Sequence, residues 1–357
     1  MRPNERASRQ ARASSRAVAL AGLAATLLLG CAGLGTGTVP IRGDFLVAAL
    51  GDSYASGQGA PNEPSGNFCG PEWDDKRCNR SAHAATRRAV EMRVAAGDSM
   101  GFETFACSGA TIETGLIGGQ DGPEPDPGDP KLPAQVDALK ALAQGLPAGQ
   151  ELDAVSISIG GNDVWFQNIV LACIADECQF SHLIVEQKLA ALPAKLDLLA
   201  AKLATVPGLS HSEVLLVEYP DPTRRDTSGT LCDGEPPFPP ELFGRISASD
   251  SHYASSFVLP ALNHHLCEAA KRHGWLWLEG AVSAFEGHGW CAGDQRWINT
   301  TIDSTSIQGS HRGAMHPKPA GHAAIGATIA DVLGQMAAGS APAPPTACPP
   351  APAPPGP

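Results

Sequence analysis

Four short stretches of this chain set chemically capable side chains beside glycine. In "ALGDSYASGQGAP" (49–61), an apolar run stops at Gly51-Asp52 and Ser53 follows. In "CSGAT" (107–111), Gly109 could present a free backbone N–H. In "GGNDVWF" (160–166), Gly160 and Gly161 permit close backbone approach and Asn162 carries a neutral amide donor. In "GAMHPKPAGH" (313–322), Pro317 biases His316 away from helical geometry and leaves it in a loop. A serine at a strand's end can cap a helix, sit in a phosphate-cradling loop, or act as a nucleophile. The phosphate loop is excluded, because no Gly-Lys-Ser/Thr follows. The other three sites have ordinary readings too: glycine and asparagine after a strand are commonly turn residues, and a lone histidine is commonly a surface residue.

The elements that would position these groups can be read from periodicity. Short apolar runs occur at "FLVAAL" (45–50), "FETFAC" (102–107), "AVSISIG" (154–160), "EVLLVEY" (213–219) and "WLWLE" (275–279). Helical spacing of apolar residues fills the gaps at 81–97, 132–146, 186–206 and 257–274, and a last helix is expected over 320–336. Pro193 should kink or divide the third of these helices. Such alternation implies a parallel sheet covered on both faces. In sheets of that kind, sites gather at the carboxyl ends of the strands. Ser53, Gly109 and Asn162 each follow an apolar run, and His316 precedes the last helix.

GDS after the first strand, a glycine after the second, GGND after the third and HP before the last helix form an ordered signature. The chain resembles the SGNH (GDSL-type) hydrolases over about 46–335, with GDSY in place of the usual GDSL. The flanks "GDSYASGQGA", "CNRSAHA", "ACSGAT", "GHGWC" and "HPKPAGH" look most similar to the secreted actinobacterial esterase/lipase branch. The resemblance implies an α/β, flavodoxin-like three-layer fold with a central parallel sheet of about five strands. It implies Ser53 as nucleophile and His316 as the base, later the acid for the leaving alcohol. It also implies an oxyanion hole made of the N–H of Ser53, the N–H of Gly109 and the side-chain amide of Asn162. Each such donor typically lowers the barrier by about 3 kcal/mol. A disulfide between Cys232 and Cys291 is implied as well. One departure stands out: the aspartate that commonly lies three residues before the histidine is Gly313 here. The Gly313 backbone carbonyl is the first candidate to orient the imidazole, and Asp303 in "NTTIDSTS" is the second. Asp52, Asp163 and Trp165 are expected to be structural or pocket-lining, and Tyr54 is read as lying outside the chemistry.

The function implied is a serine esterase or lipase acting on carboxylic esters, with a lipid or acyl ester favoured over a glycan. An acetyl esterase acting on polysaccharide, or a non-catalytic surface binding protein on the same scaffold, are the competing readings. No cofactor is expected. No metal is expected either, because no CxxC pair or Cys/His zinc spacing occurs, and the adjacent His264 and His265, with His211 and His252, form no chelating pattern.

Composition bounds the partners. The formal net charge of the 357 residues is −12. Residues 1–30 carry five arginines and one glutamate, followed by the apolar run "AVALAGLAATLLLG" (17–30), which reads as an export signal too short to span a membrane. Removal of residues 1–30 leaves a charge of −16, which argues against a nucleic-acid partner and against simple electrostatic binding to anionic lipid. "LLGC" (28–31) resembles the bacterial lipobox, so Cys31 is a candidate for lipidation and for the chain's sole attachment to a membrane. An exported protein is expected: a cell-envelope lipoprotein, or a secreted one if Cys31 is not lipidated, and a monomer. Residues 31–43 form a tether, 44–338 the hydrolase domain, and 339–357 a Pro/Ala-rich tail expected to be disordered. Ten cysteines in an oxidising compartment suggest disulfides. Proximity suggests Cys69 with Cys78 and Cys173 with Cys178, while Cys107 and Cys267 are expected to be buried thiols.

Overall fold

The computed structural model describes residues 42–63, 70–174, 182–234 and 246–353. The export signal, Cys31, most of the tether, Cys69, Cys178 and the side chain of Cys173 lie outside the described residues.

Five strands form one sheet: β1 (Phe45–Gly51), β2 (Met100–Thr104), β3 (Ala154–Ser158), β4 (Val214–Val217) and β5 (Leu276–Leu278). Their order is β2-β1-β3-β4-β5 and every pairing is parallel, with Val47 opposite Ala154 and Leu50 opposite Ile157 in the central pair. The strands are near-continuous apolar runs because both faces are covered, so neither face selects polar residues. The second strand begins two residues before the apolar run that announced it. Its ladder nevertheless continues past Thr104, through Phe105 N–H to Ala49 O and Cys107 N–H to Gly51 O.

The helices are α1 (Ser53–Ser56), α2 (Ala85–Ala95), α3 (Gln135–Gly145), α4 (Phe166–Ile174), α5 (His182–Leu203), α6 (Ala248–Tyr253), α7 (Leu259–His273), α8 (Ala281–Ala284), α9 (Thr301–Gln308) and α10 (Pro319–Ala337). A π-helical turn at Ala254–Val258 joins α6 to α7. Right-handed crossovers in this strand order place α2 on one face of the sheet and α3, α5 and α7 on the other. Accordingly α10 packs on α2, and α5 packs on α7. The approach of α10 to α2 is close: a Cβ added at Gly326 would sit 2.8 Å from the Ala85 carbonyl oxygen. Below them α10 buries Ile325, Ile329 and Leu333, one helical turn apart. Pro193 does not divide α5, which runs unbroken from His182 to Leu203 and buries Leu192, Leu196 and Leu199.

Three disulfides are formed among the described residues: Cys78–Cys107, Cys232–Cys291 and Cys267–Cys348. The second matches expectation. The first corrects it: Cys78 pairs with Cys107, not Cys69, because the Ser108 N–H bonds the Cys78 carbonyl and brings the two Cα atoms to 4.3 Å. Cys107 and Cys267 are therefore bonded, not thiols. The tail also differs from expectation. Among the described residues it forms no helix or strand beyond Ala337, but it is not free, because Cys348 is bonded to Cys267 and the Pro349 carbonyl lies 2.7 Å from His264 Nδ1. No described helix is long and apolar enough to cross a membrane.

Candidate active site

The site begins where β1 ends. Gly51 has φ of 132°, and a Cβ there would lie 2.0 Å from the Ser158 carbonyl oxygen, so β1 and β3 can close up only around glycine. Asp52 follows as the cap of α1, accepting the Tyr54 N–H at 3.0 Å. That cap starts the helix at Ser53 and fixes its Cβ direction. Ser53 Oγ lies 2.7 Å from His316 Nε2, within hydrogen-bond reach, although 263 residues separate them.

His316 sits in the turn that enters α10. Its Nδ1 lies 2.9 Å from the Ala314 carbonyl oxygen. This corrects the residue expected to orient it. The group is a backbone carbonyl, but it belongs to Ala314, while the Gly313 carbonyl accepts the His316 backbone N–H at 3.2 Å. Asp303 does not reach the imidazole. It caps α9 and pairs with Arg296 at 2.8 Å and Lys318 at 3.2 Å. Burial alone would raise that carboxyl, but Arg296, Thr300 and Lys318 outweigh it and hold it well below the usual range. With no carboxylate beside it among the described residues, the His316 imidazole is pushed by burial down to about 4, against the opposing pull of the Ala314 and Gly313 carbonyls.

The donors stand beside this pair. After β2, the Cys78–Cys107 bond and the Ser108 N–H anchor the loop that carries Gly109 at φ 79°. The Gly109 N–H takes no acceptor among the described residues. After β3, Asn162 donates one amide hydrogen to the Ala110 carbonyl at 2.9 Å, which ties the two loops together and leaves the second hydrogen for another partner. Ser53, Gly109, Asn162 and His316 all line one cleft of about 370 Å³. Its walls include Phe166 and Val170 of α4, Leu259 and Leu262 of α7, and Gln58, His311 and Arg312 on the histidine side.

Asp52 and Asp163 act as supports. Asp52 is buried and accepts the Tyr219 hydroxyl at 2.5 Å, and burial pushes its carboxyl up to about 7 against that bond. Tyr219 in turn accepts the Gly161 N–H at 3.2 Å. Asp163 accepts the Ile112 N–H at 3.0 Å and pairs with Lys195 at 3.1 Å, pinning the loop after β3 to the loop after β2. Burial raises its carboxyl above the usual range, with Ile112 and Lys195 opposing. Trp165 stays outside the cleft lining, half-exposed beneath the Lys188 ammonium at 4.6 Å. Among the described residues, no three His, Cys, Asp or Glu side chains gather as metal ligands.

Three contributors escaped the sequence reading. The Ala314 carbonyl has no side-chain signature. Tyr219 closes the fourth apolar run, and its place at a strand's carboxyl end was the available signal. Tyr54 lies against the histidine, with ring centroids 5.4 Å apart.

Residues 49–324 match the GDSL-like Lipase/Acylhydrolase family. The chain is 28% identical to Lipase 1 of Streptomyces coelicolor over 288 residues, covering 79% of this chain and 84% of that protein. Two solved structures share the fold: phospholipase A1 from Streptomyces albidoflavus NA297 (TM-score 0.51, 22% identity, 83% of this chain and 99% of that one) and the extracellular lipase from Streptomyces rimosus (TM-score 0.51, 21% identity, 82% and 99%). The family match spans most of the chain and takes in every element of the cleft, so the chain belongs to the GDSL-like lipase/acylhydrolase family and is a carboxylic ester hydrolase.

Proposed function

We propose that the protein is an exported serine esterase or lipase that works through an acyl-enzyme at Ser53. The observation that carries this reading is the 2.7 Å contact between Ser53 Oγ and His316 Nε2. The Ala314 carbonyl accepts a hydrogen bond from Nδ1–H, so Nε2 is the unprotonated nitrogen and can take the serine proton. Ser53 Oγ then attacks the ester carbonyl, and its proton passes to His316. The carbonyl oxygen becomes an oxyanion facing the N–H groups of Ser53 and Gly109 and the Asn162 amide. Collapse expels the alcohol, which leaves with the proton from His316, and Ser53 carries the acyl group. Water activated by the same imidazole releases the acid and restores Ser53.

The apolar wall of Phe166, Val170, Leu259 and Leu262 in the cleft supports an acyl chain there. It favours lipid or acyl esters over glycans. The names of the relatives, Lipase 1 and phospholipase A1, point the same way. Export, and lipidation of Cys31, rest on the amino-terminal sequence, and export is supported by three disulfides, bonds that persist in oxidising compartments.

The test is hydrolysis of p-nitrophenyl esters from acetyl to palmitoyl by wild type and Ser53→Ala. The reading requires activity that is lost in the variant and that rises beyond the acetyl ester. Activity confined to acetyl would shift the reading to an acetyl esterase, and equal activity in the variant would overturn it.

A further inference from the structure

We propose that Tyr54 is a positioning residue for His316: its hydroxyl, donated from the nucleophile's own helix to the Met315 carbonyl, holds the turn that aims the imidazole at Ser53. The inference rests on the roles proposed above for Ser53 and His316.

Four observations carry it. First, among the described residues the imidazole has no carboxylate beside it. Its ring is held through Nδ1 by the carbonyl of Ala314, two residues away in the same turn. The aim of the ring is therefore only as firm as the turn. Second, the turn is backbone-strained, because Met315 has φ of 63°. A residue with a Cβ rarely enters this left-handed region and stays there only when its surroundings hold it. Third, the Met315 carbonyl accepts the Tyr54 hydroxyl at 2.8 Å, a buried bond across 261 residues. Apart from the Ser53–His316 contact itself and the Gln58 amide on the Arg312 carbonyl, the turn is held from elsewhere: Asn299 holds its carbonyls from the segment before α9, and Ser304 accepts the Gly313 N–H. Tyr54 alone among these ties it to α1, the residue after Ser53 bonding the residue before His316. Fourth, the ring has no freedom of its own. It lies 5.2 Å from the Tyr219 ring and 5.4 Å from the His316 ring. Tyr219 is itself bonded to Asp52, the cap of α1. Burial raises the Tyr54 hydroxyl above its usual range, so it remains a donor throughout the working pH.

A leucine at this position would fill the space but could not make the bond. A phenylalanine would keep the ring contacts and lose only the hydroxyl. The experiment compares Tyr54→Phe and Tyr54→Leu with wild type in three readouts: steady-state kinetics on a p-nitrophenyl ester, thermal unfolding, and the ring ¹⁵N shifts of His316, assigned by their loss in His316→Gln. Removing one partner of a buried hydrogen bond corresponds to roughly a ten-fold effect. Tyr54→Phe should therefore lower kcat about ten-fold with KM within two-fold, and Tyr54→Leu should lower it further. In both, the His316 shifts should move from a single Nδ1-protonated tautomer toward a mixture. Wild-type kcat in Tyr54→Phe, or a loss matched by global unfolding with unmoved ring shifts, would overturn the proposal. If Ser53→Ala proves as active as wild type, the catalytic reading fails, but the ring shifts still decide whether Tyr54 positions the imidazole.

Discussion

A carbonyl dipole stabilises an imidazolium less than a carboxylate does, and at His316 a carbonyl is what faces Nδ1. The consequence is a shift in working pH. His316 must be neutral to accept the serine proton, and burial holds it near 4, below the ordinary histidine value of about 6.5. A base with a depressed pKa stays competent as pH falls, so the acid limb of kcat/KM should lie well below pH 6, close to 4. A pH–rate profile taken where the protein remains folded checks this, and an acid limb at 6.5 would contradict it. Ser53, His316 and Asn162 stood out at strand ends and in the HP pair, but each had an ordinary reading alone, and their roles came from the ordered resemblance to the SGNH hydrolases. The Ala314 carbonyl could not stand out, since every residue has one. Tyr54 was legible as a departure from the usual leucine, but its bond partner lies 261 residues away.

Among the elements, the strands were the most legible. An apolar run with both faces covered reads as a strand without any alternation, as Leu46–Leu50 does, whereas in Ala154–Ile159 Ser156 and Ser158 alternate with apolar residues yet are buried as well. Helix boundaries shifted by a few residues, and Pro193 failed to break α5 because the leucines on either side of it are held in the core. What periodicity could not give is how near two helices come. The contact of α10 with α2 is set by Gly326, where a Cβ would crowd the Ala85 carbonyl at 2.8 Å and Arg88 Cβ at 3.2 Å. Gly326→Ala should cost about 1–3 kcal/mol of stability, as overpacking does, by forcing the helices apart. Because Gly326 is remote from the cleft lining, kcat should be kept. Thermal unfolding and kinetics on the same sample separate the two effects. Unchanged stability would mean that the helices separate without cost.

At the scale of the whole molecule, the tail is the largest departure from what composition suggests. Its Pro/Ala content supplies no core, so disorder is the natural reading. A single cysteine reverses it. α10 lies on the α2 face and α7 on the other, so the Cys267–Cys348 bond makes residues 338–348 a strap between the two helical layers. Closing a loop with a sequence separation of 81 residues is worth about 4 kcal/mol in the chain-entropy account. The double variant Cys267→Ser/Cys348→Ser should unfold at lower temperature while keeping kcat and KM. An unaltered unfolding midpoint would show that the strap contributes nothing to stability. Cysteine pairing was also the least legible feature, because neighbours in sequence suggested Cys69–Cys78, whereas the fold sets Cys78 against Cys107 at the edge of the Gly109 loop.

The most direct test of the account is to trap its covalent intermediate. Wild-type protein is mixed with an excess of a p-nitrophenyl acyl ester, quenched in acid within the first turnovers, and digested for mass spectrometry. The account predicts an acyl group on the peptide bearing Ser53, and none on that peptide in Ser53→Ala. Rapid hydrolysis with no acyl group on Ser53, or an acyl group on another residue that turns over at the catalytic rate, would contradict it.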